Sequence, residues 1–291
     1  MDKALATGML LLHSIFLSAQ FAPPFDLFDE VGDVQFSIGS DVDGDGRTDV
    51  ICATAKRLFW LPSQADGTFG HQRPISFADQ LYRSLTAFDI DADGDEDLLL
   101  ASYNEGIGIH FNNGDGTFGA VVIIYAPGPV LDLYLADLNG DSLPDALVGQ
   151  GQGVAWLPGN GDGTFGAPSL IAAGHDAANS VQAEDLNGDG KLDVVVAAHS
   201  DNRLSWHENL GDGTFADYQI INETHLGPNS LDIGDFDGDG WPDIVCSSRN
   251  EDDGGAGLAL FRNLGHGSFA APDTLLPAYG NYFVQAGDMD G

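Results

Sequence analysis

The sequence predicts an all-β chain, a β-propeller of four-stranded blades. Three observations carry this. A nine-residue acidic motif returns at a near-constant interval, a Gly-Asp-Gly-Thr-Phe motif keeps step with it, and the residues between them alternate with the strand period rather than the helical one. The 39 glycines fit a chain with many tight turns.

The acidic motif is first seen as Asp41-Val42-Asp43-Gly44-Asp45-Gly46-Arg47-Thr48-Asp49. It returns from Asp89, Asp137, Asp185 and Asp235, at intervals of 48, 48, 48 and 50 residues, and a sixth copy begins at Asp288. The second motif occupies Gly114 to Phe118, Gly161 to Phe165 and Gly211 to Phe215, with variants ending at Phe69 and Phe269. Short apolar runs leave each acidic loop, for example Val50 to Ala53 and Val194 to Ala198, and a further run carries Trp60, Trp156 and Trp206 at equivalent places. Each unit therefore reads as strand one into the acidic loop, strand two out of it, strand three with the Trp, and strand four starting at the Phe. Four strands per repeat of this length are the mark of a propeller; a β-solenoid is the runner-up, with shorter rungs.

These motifs, with Phe165-Gly166-Ala167-Pro168, resemble the FG-GAP (VCBS-type) repeat known from the propeller head of integrin α chains. The resemblance covers residues 21–291. It implies a seven-bladed propeller with calcium loops between the first two strands of several blades, and leaves function open.

The loop chemistry points the same way. Calcium takes six to eight oxygens, and acids at loop positions one, three, five and nine, with a carbonyl at position seven, can wrap one ion. The expected ligands are Asp41, Asp43, Asp45, Asp49 and the carbonyl of Arg47; Asp89, Asp91, Asp93, Asp97 and that of Asp95; Asp137, Asn139, Asp141, Asp145 and that of Leu143; Asp185, Asn187, Asp189, Asp193 and that of Lys191; and Asp235, Asp237, Asp239, Asp243 and that of Trp241. Position twelve holds Cys52, Leu100, Val148, Val196 and Cys246, not the Glu of an EF-hand. Ser142 stands where the other loops have Gly, so that turn is expected to be strained. A single such loop reads equally well as a solvated Asx turn. Five in register, each crowding carboxylates together, read better as about five structural Ca²⁺ sites. Magnesium, which keeps its waters, fits less well, and the all-oxygen set speaks against zinc.

Residues 1–20 read as a signal peptide, with apolar residues centred on Leu10 to Leu12 and small residues Ser18 and Ala19 at its end. The rest, 21–291, reads as propeller in a secreted or cell-surface protein, with no membrane insertion once the leader is removed. The net charge of −35 excludes nucleic acid and anionic membrane as partners. Phe21-Ala22-Pro23 has the spacing of a fourth strand that precedes blade one. With five full blades and the start of a sixth after it, the sequence is expected to be an open part of a longer ring.

Cys52 and Cys246 read as small core residues of non-neighbouring blades, not as a disulfide. His110 and His207 fall on third strands as packing or edge residues. His175, His199 and His225 fall in loops opposite the calcium face and read as exposed. No catalytic motif is present. The expected function is a binding or adhesion module for a protein or glycan, with contact loops such as Tyr103 to Glu105, His175-Asp176, His199 to Arg203 and Arg249 to Asp253. The alternatives are a polysaccharide lyase or hydrolase on the same scaffold, and a structural spacer of a larger surface protein.

Overall fold

A computed structural model describes residues 34–77, 81–211, 213–225, 227–248, 257–276 and 283–287. The leader, the strand expected from Phe21, the Arg249–Asp253 loop and the sixth acidic motif lie outside these residues.

Five four-stranded antiparallel sheets follow one another along the chain, each in sequence order. Blade one is β1 (Val34–Ser40), β2 (Asp49–Thr54), β3 (Arg57–Leu61) and β4 (Arg73–Phe77). Blade two is β5 (Tyr82–Phe88), β6 (Asp97–Ser102), β7 (Gly106–His110) and β8 (Val122–Tyr125). Blade three is β9 (Val130–Ala136), β10 (Asp145–Gln150), β11 (Gln152–Leu157) and β12 (Ser169–Asp176). Blade four is β13 (Ala178–Glu184), β14 (Asp193–Ala198), β15 (Arg203–His207) and β16 (Gln219–Asn222). Blade five is β17 (Pro228–Gly234), β18 (Asp243–Ser248), β19 (Leu258–Phe261) and β20 (Asp273–Leu276). The fold is the all-β propeller architecture that the repeat predicts.

The core lies between blades. The second strand is buried over most or all of its length in every blade because both its faces meet apolar neighbours. Trp60 packs with Leu85 and Leu98 of blade two, Trp156 with Val194 and Val196 of blade four, and Trp206 with Leu231 and Ile244 of blade five. Burying each apolar side chain contributes about 1.5–3 kcal/mol. Cys52 and Cys246 are free and buried, with burial pushing both thiols up to about 12.

Strand four does not start at the Phe. Phe69, Phe118, Phe165, Phe215 and Phe269 instead close the Gly-rich turn through single bridges to Ser63, Asn112, Gly159, Asn209 and Asn263. The next N–H in each blade bonds back across the turn, as Gly166 does to the Pro158 carbonyl at 2.7 Å. The Phe ring is held against the inter-blade core, and the strand begins only after the chain has crossed from the turn.

The innermost strands are stitched by side chains rather than by a ladder. Asp132 Oδ2 accepts the Val181 N–H at 3.0 Å, Ser180 Oγ accepts that of Leu231 at 3.4 Å, and Ser230 Oγ accepts that of Val284 at 3.1 Å. Ser84 Oγ donates to the Leu133 carbonyl at 3.2 Å. Residues 283–287 thus lie along β17 as the next inner segment would.

Candidate metal centre

Each acidic loop joins the first strand of a blade to the second and is folded by its own carboxylates. The position-one acid caps the turn. Asp41 Oδ1 accepts the Asp45 N–H at 3.1 Å and Oδ2 that of Gly46 at 2.8 Å. Asp89, Asp137, Asp185 and Asp235 do the same in their loops. The position-five acid accepts the N–H of position seven, as Asp189 does from Lys191 at 3.0 Å. These are Asx-type bonds, which wrap the chain around a centre; in the first and fifth loops the side chains of positions one, three and five converge on it.

Two left-handed residues make the wrap possible. Position six is Gly46, Gly94, Gly190 and Gly240, all with positive φ, and Ser142 takes φ 70° in the third loop, as its place in the motif predicts. Position four is also left-handed: Gly44, Gly140, Gly188 and Gly238, and Ala92 with φ 61°. The recurring glycine at position four was the available signal for this.

In the first loop one carboxylate oxygen from each of Asp41, Asp43 and Asp45 lies within 4.8 Å of the others; Asp235, Asp237 and Asp239 repeat this in the fifth, and Asp89, Asp91 and Asp97 converge likewise in the second. Asn139 and Asn187 take position three in the third and fourth loops, where each side-chain oxygen accepts a loop N–H at 2.9 Å. Asp43 Oδ1 is buried with no hydrogen-bond partner. An orphaned carboxylate oxygen among other carboxylates fits a hard divalent cation.

The position-nine acids have a second task. Asp49, Asp97, Asp145, Asp193 and Asp243 are fully buried at the start of strand two. One oxygen of each accepts the N–H of loop position two, and the other accepts an N–H beyond strand three; for Asp193 these are Leu186 at 3.2 Å and Asn209 at 2.9 Å. Burial raises all five carboxyls above the ordinary range, Asp97 to about 6 and Asp193 to about 7, with the other loop acids adding to the rise and the backbone N–H groups opposing it.

Cations of the chain already lean on the loops. Arg47 pairs with Asp45, Lys191 with Asp189 at 2.5 Å, Arg73 reaches Asp43 at 3.9 Å and Arg262 reaches Asp237 at 3.4 Å. The next blade also holds three of the loops through an amide: Asn112 Nδ2 donates to the Val42 carbonyl at 3.0 Å, Asn209 to that of Leu138 at 2.7 Å, and Asn263 to that of Leu186 at 2.9 Å.

The histidines divide differently from the sequence expectation. His110 and His207 are buried on third strands, as expected. His175 and His225 are buried too, not exposed loop residues. β12 runs on past its regular pairing to Asp176, and this carries His175 inward against blade four; His225 turns edge-on to Phe261. His199 is half-buried.

A family model described as FG-GAP-like repeat matches residues 41–100, 89–148, 137–196, 185–246 and 235–291. Among curated proteins, none matches the sequence. Many solved structures share the fold, two of which follow. One is an Agrocybe aegerita lectin that recognises non-reducing terminal N-acetylglucosamine, 21% identical with a TM-score of 0.62, covering 86% of this chain and 69% of its own. The other is BBS1N, solved in complex with ARL6DN, 13% identical with a TM-score of 0.55, covering 82% and 68%. No helix among the described residues is long and apolar enough to cross a membrane.

Proposed function

The chain belongs to the FG-GAP-like repeat family, and from that premise we propose that it is an extracellular binding module whose loops hold structural calcium. The carrying observation is a contrast between the two faces. On one, five loops repeat the same wrapped carboxylate geometry and end in the same buried acid. On the other, the connections differ in every blade, from Thr54 to Arg57, through Tyr103 to Glu105, to His199 to Asn202. Repeated chemistry suits metal and stability; varied chemistry suits recognition. The acids of the five loops are engaged in turn-building, which suits a structural role for them.

The ligand is proposed to be a glycan or a protein outside the cell. The fold shared with a lectin makes glycans the first class to screen. Calcium binding by titration calorimetry on EGTA-stripped protein tests the metal half, and binding in the loops is expected at about 10⁻⁴–10⁻³ M. A glycan and protein array probed with calcium-loaded protein tests the other half. A calcium-saturated, folded protein with no ligand on either array, or one that cleaves polysaccharide, would overturn it.

A further inference from the structure

Where the first strands of the blades converge, they line a half-open cavity of about 160 Å³. Its lining includes Phe36 of blade one, Arg83 of blade two, Asp132 of blade three, Asn179 of blade four, Asn229 of blade five and Phe283 beyond it. Arg83, Asn179 and Asn229 are each the second residue of their strand, at the end remote from the acidic loop. The cavity therefore lies toward the centre of the face that carries the varied loops.

Its polar groups are unevenly satisfied. Asp132, the one acid in the lining, has both oxygens taken by backbone: Oδ1 accepts the Leu133 N–H at 2.9 Å and Oδ2 that of Val181 at 3.0 Å. The Asn229 Oδ1 acceptor is taken by Asn179 Nδ2 at 3.0 Å. Arg83 is different. Its guanidinium lies 5.2 Å from the Tyr103 ring centroid and forms no ion pair among the described residues, although the chain has 45 acids against 10 bases. Five N–H donors in a fixed fork, held on an aromatic face, suit a planar carboxylate. Phe36 and Phe283, the latter 70% exposed, add apolar rings to the polar lining. Such rings suit the C–H side of a sugar ring, which is apolar while its rim is hydroxylated.

We infer that this axial cavity is a binding site for a carboxylate-bearing sugar, with Arg83 receiving the carboxylate, the Asn179–Asn229 amide pair at the hydroxyls, and Phe36 and Phe283 against the ring. The inference rests on the binding-module reading and names the ligand class for it. The cavity is large enough for one sugar unit rather than a long chain, so the unit it takes is a terminal residue or a single side branch.

The test is a calorimetric titration of calcium-saturated protein with D-glucuronate, D-glucose and acetate, repeated on Arg83→Gln and Asn179→Ala. Glucuronate is expected to bind, and Arg83→Gln to weaken it at least about tenfold, the loss of a hydrogen bond to a charged group. Asn179→Ala is expected to weaken it less. Arg83 is exposed, so the melting temperature of Arg83→Gln should match the parent and show that the fold is intact. No glucuronate binding at millimolar concentration, or equal binding by Arg83→Gln, overturns the site. Equal binding by glucose or acetate overturns the ligand class. Array ligands that bind parent and Arg83→Gln alike would keep the binding module and remove this site, so the two failures are distinguishable.

Discussion

The Nε2 atoms of His175 and His207 lie 3.0 Å apart in the wall between blades three and four. His207 Nδ1 sits 3.0 Å from the Ala216 carbonyl and must donate to it, which leaves a lone pair on its Nε2. His175 therefore donates from Nε2, and its own Nδ1 is buried with no partner. Tyr218 closes the pair edge-on, and Arg203 stacks over Tyr218.

This pair should make the protein acid-sensitive. Burial, then His207 and Arg203, push His175 down to about 4, below the ordinary 6.5. The unfolded chain takes up a proton at higher pH than the folded one. The stabilisation is thus complete above about pH 6.5 and is lost as pH falls through about 4. The loss is on the order of 3 kcal/mol. His175→Gln keeps a donor for His207 and cannot titrate. Urea midpoints measured between pH 7 and pH 4.5 should fall more steeply for the parent than for this variant.

Calcium removal should lower the melting temperature, and two variants should separate the roles of the loop acids. Asp189→Ala removes a loop acid that also accepts the exposed Lys191 N–H, so its cost should be clearly larger with calcium than in EGTA, where only the exposed bonds to Lys191 are lost. Asp193→Ala leaves two N–H groups, of Leu186 and Asn209, without an acceptor. It should cost about 2–4 kcal/mol even in EGTA. Equal melting of parent and Asp193→Ala in EGTA would count against the second role.

Asn209→Ala should loosen the seam between blades three and four. Its amide donates to the carbonyls of Leu138 and Leu192 and its oxygen accepts the Gly211 N–H. The loss should be about 2–3 kcal/mol. Blade three has Gly159 at this place, and a Cβ there would stand 2.1 Å from the Pro144 carbonyl oxygen. Gly159→Asn should therefore destabilise rather than add a clamp. Chemical denaturation of both variants checks the pair.

Ser142→Gly should stabilise the third loop by about 1 kcal/mol, because it removes a left-handed conformation that L-residues resist. Calcium affinity at that loop should not fall. A lower melting temperature in the variant would show that the Ser142 hydroxyl does something the geometry does not reveal.

The blades were legible because the acidic motif, the Trp positions and the Gly-Asp-Gly-Thr-Phe turn all recur in one register, so local errors could not accumulate. The start of strand four was not. Phe165 and its counterparts look like strand residues by hydrophobicity, but their rings serve the inter-blade core from a turn. His175 was misread because a short polar stretch signals a loop, while the irregular end of β12 is a matter of tertiary pairing. The double duty of Asp193 was hidden for a similar reason: nothing in the motif tells a ligand from a residue that also collects two distant N–H groups.

The side-chain stitching at the axis has a consequence for how such a chain changes its number of repeats. Ser84, Asp132, Ser180 and Ser230 occupy the same place in successive units. Unequal recombination that inserts or drops a whole unit there rebuilds an oxygen at the new junction, so repeat number can drift without stranding a polar group at the hub. Blade one offers Phe36 at this place. A crossover directly after it joins a phenyl ring to the next inner strand, which marks that junction as the one where copy-number drift carries a penalty.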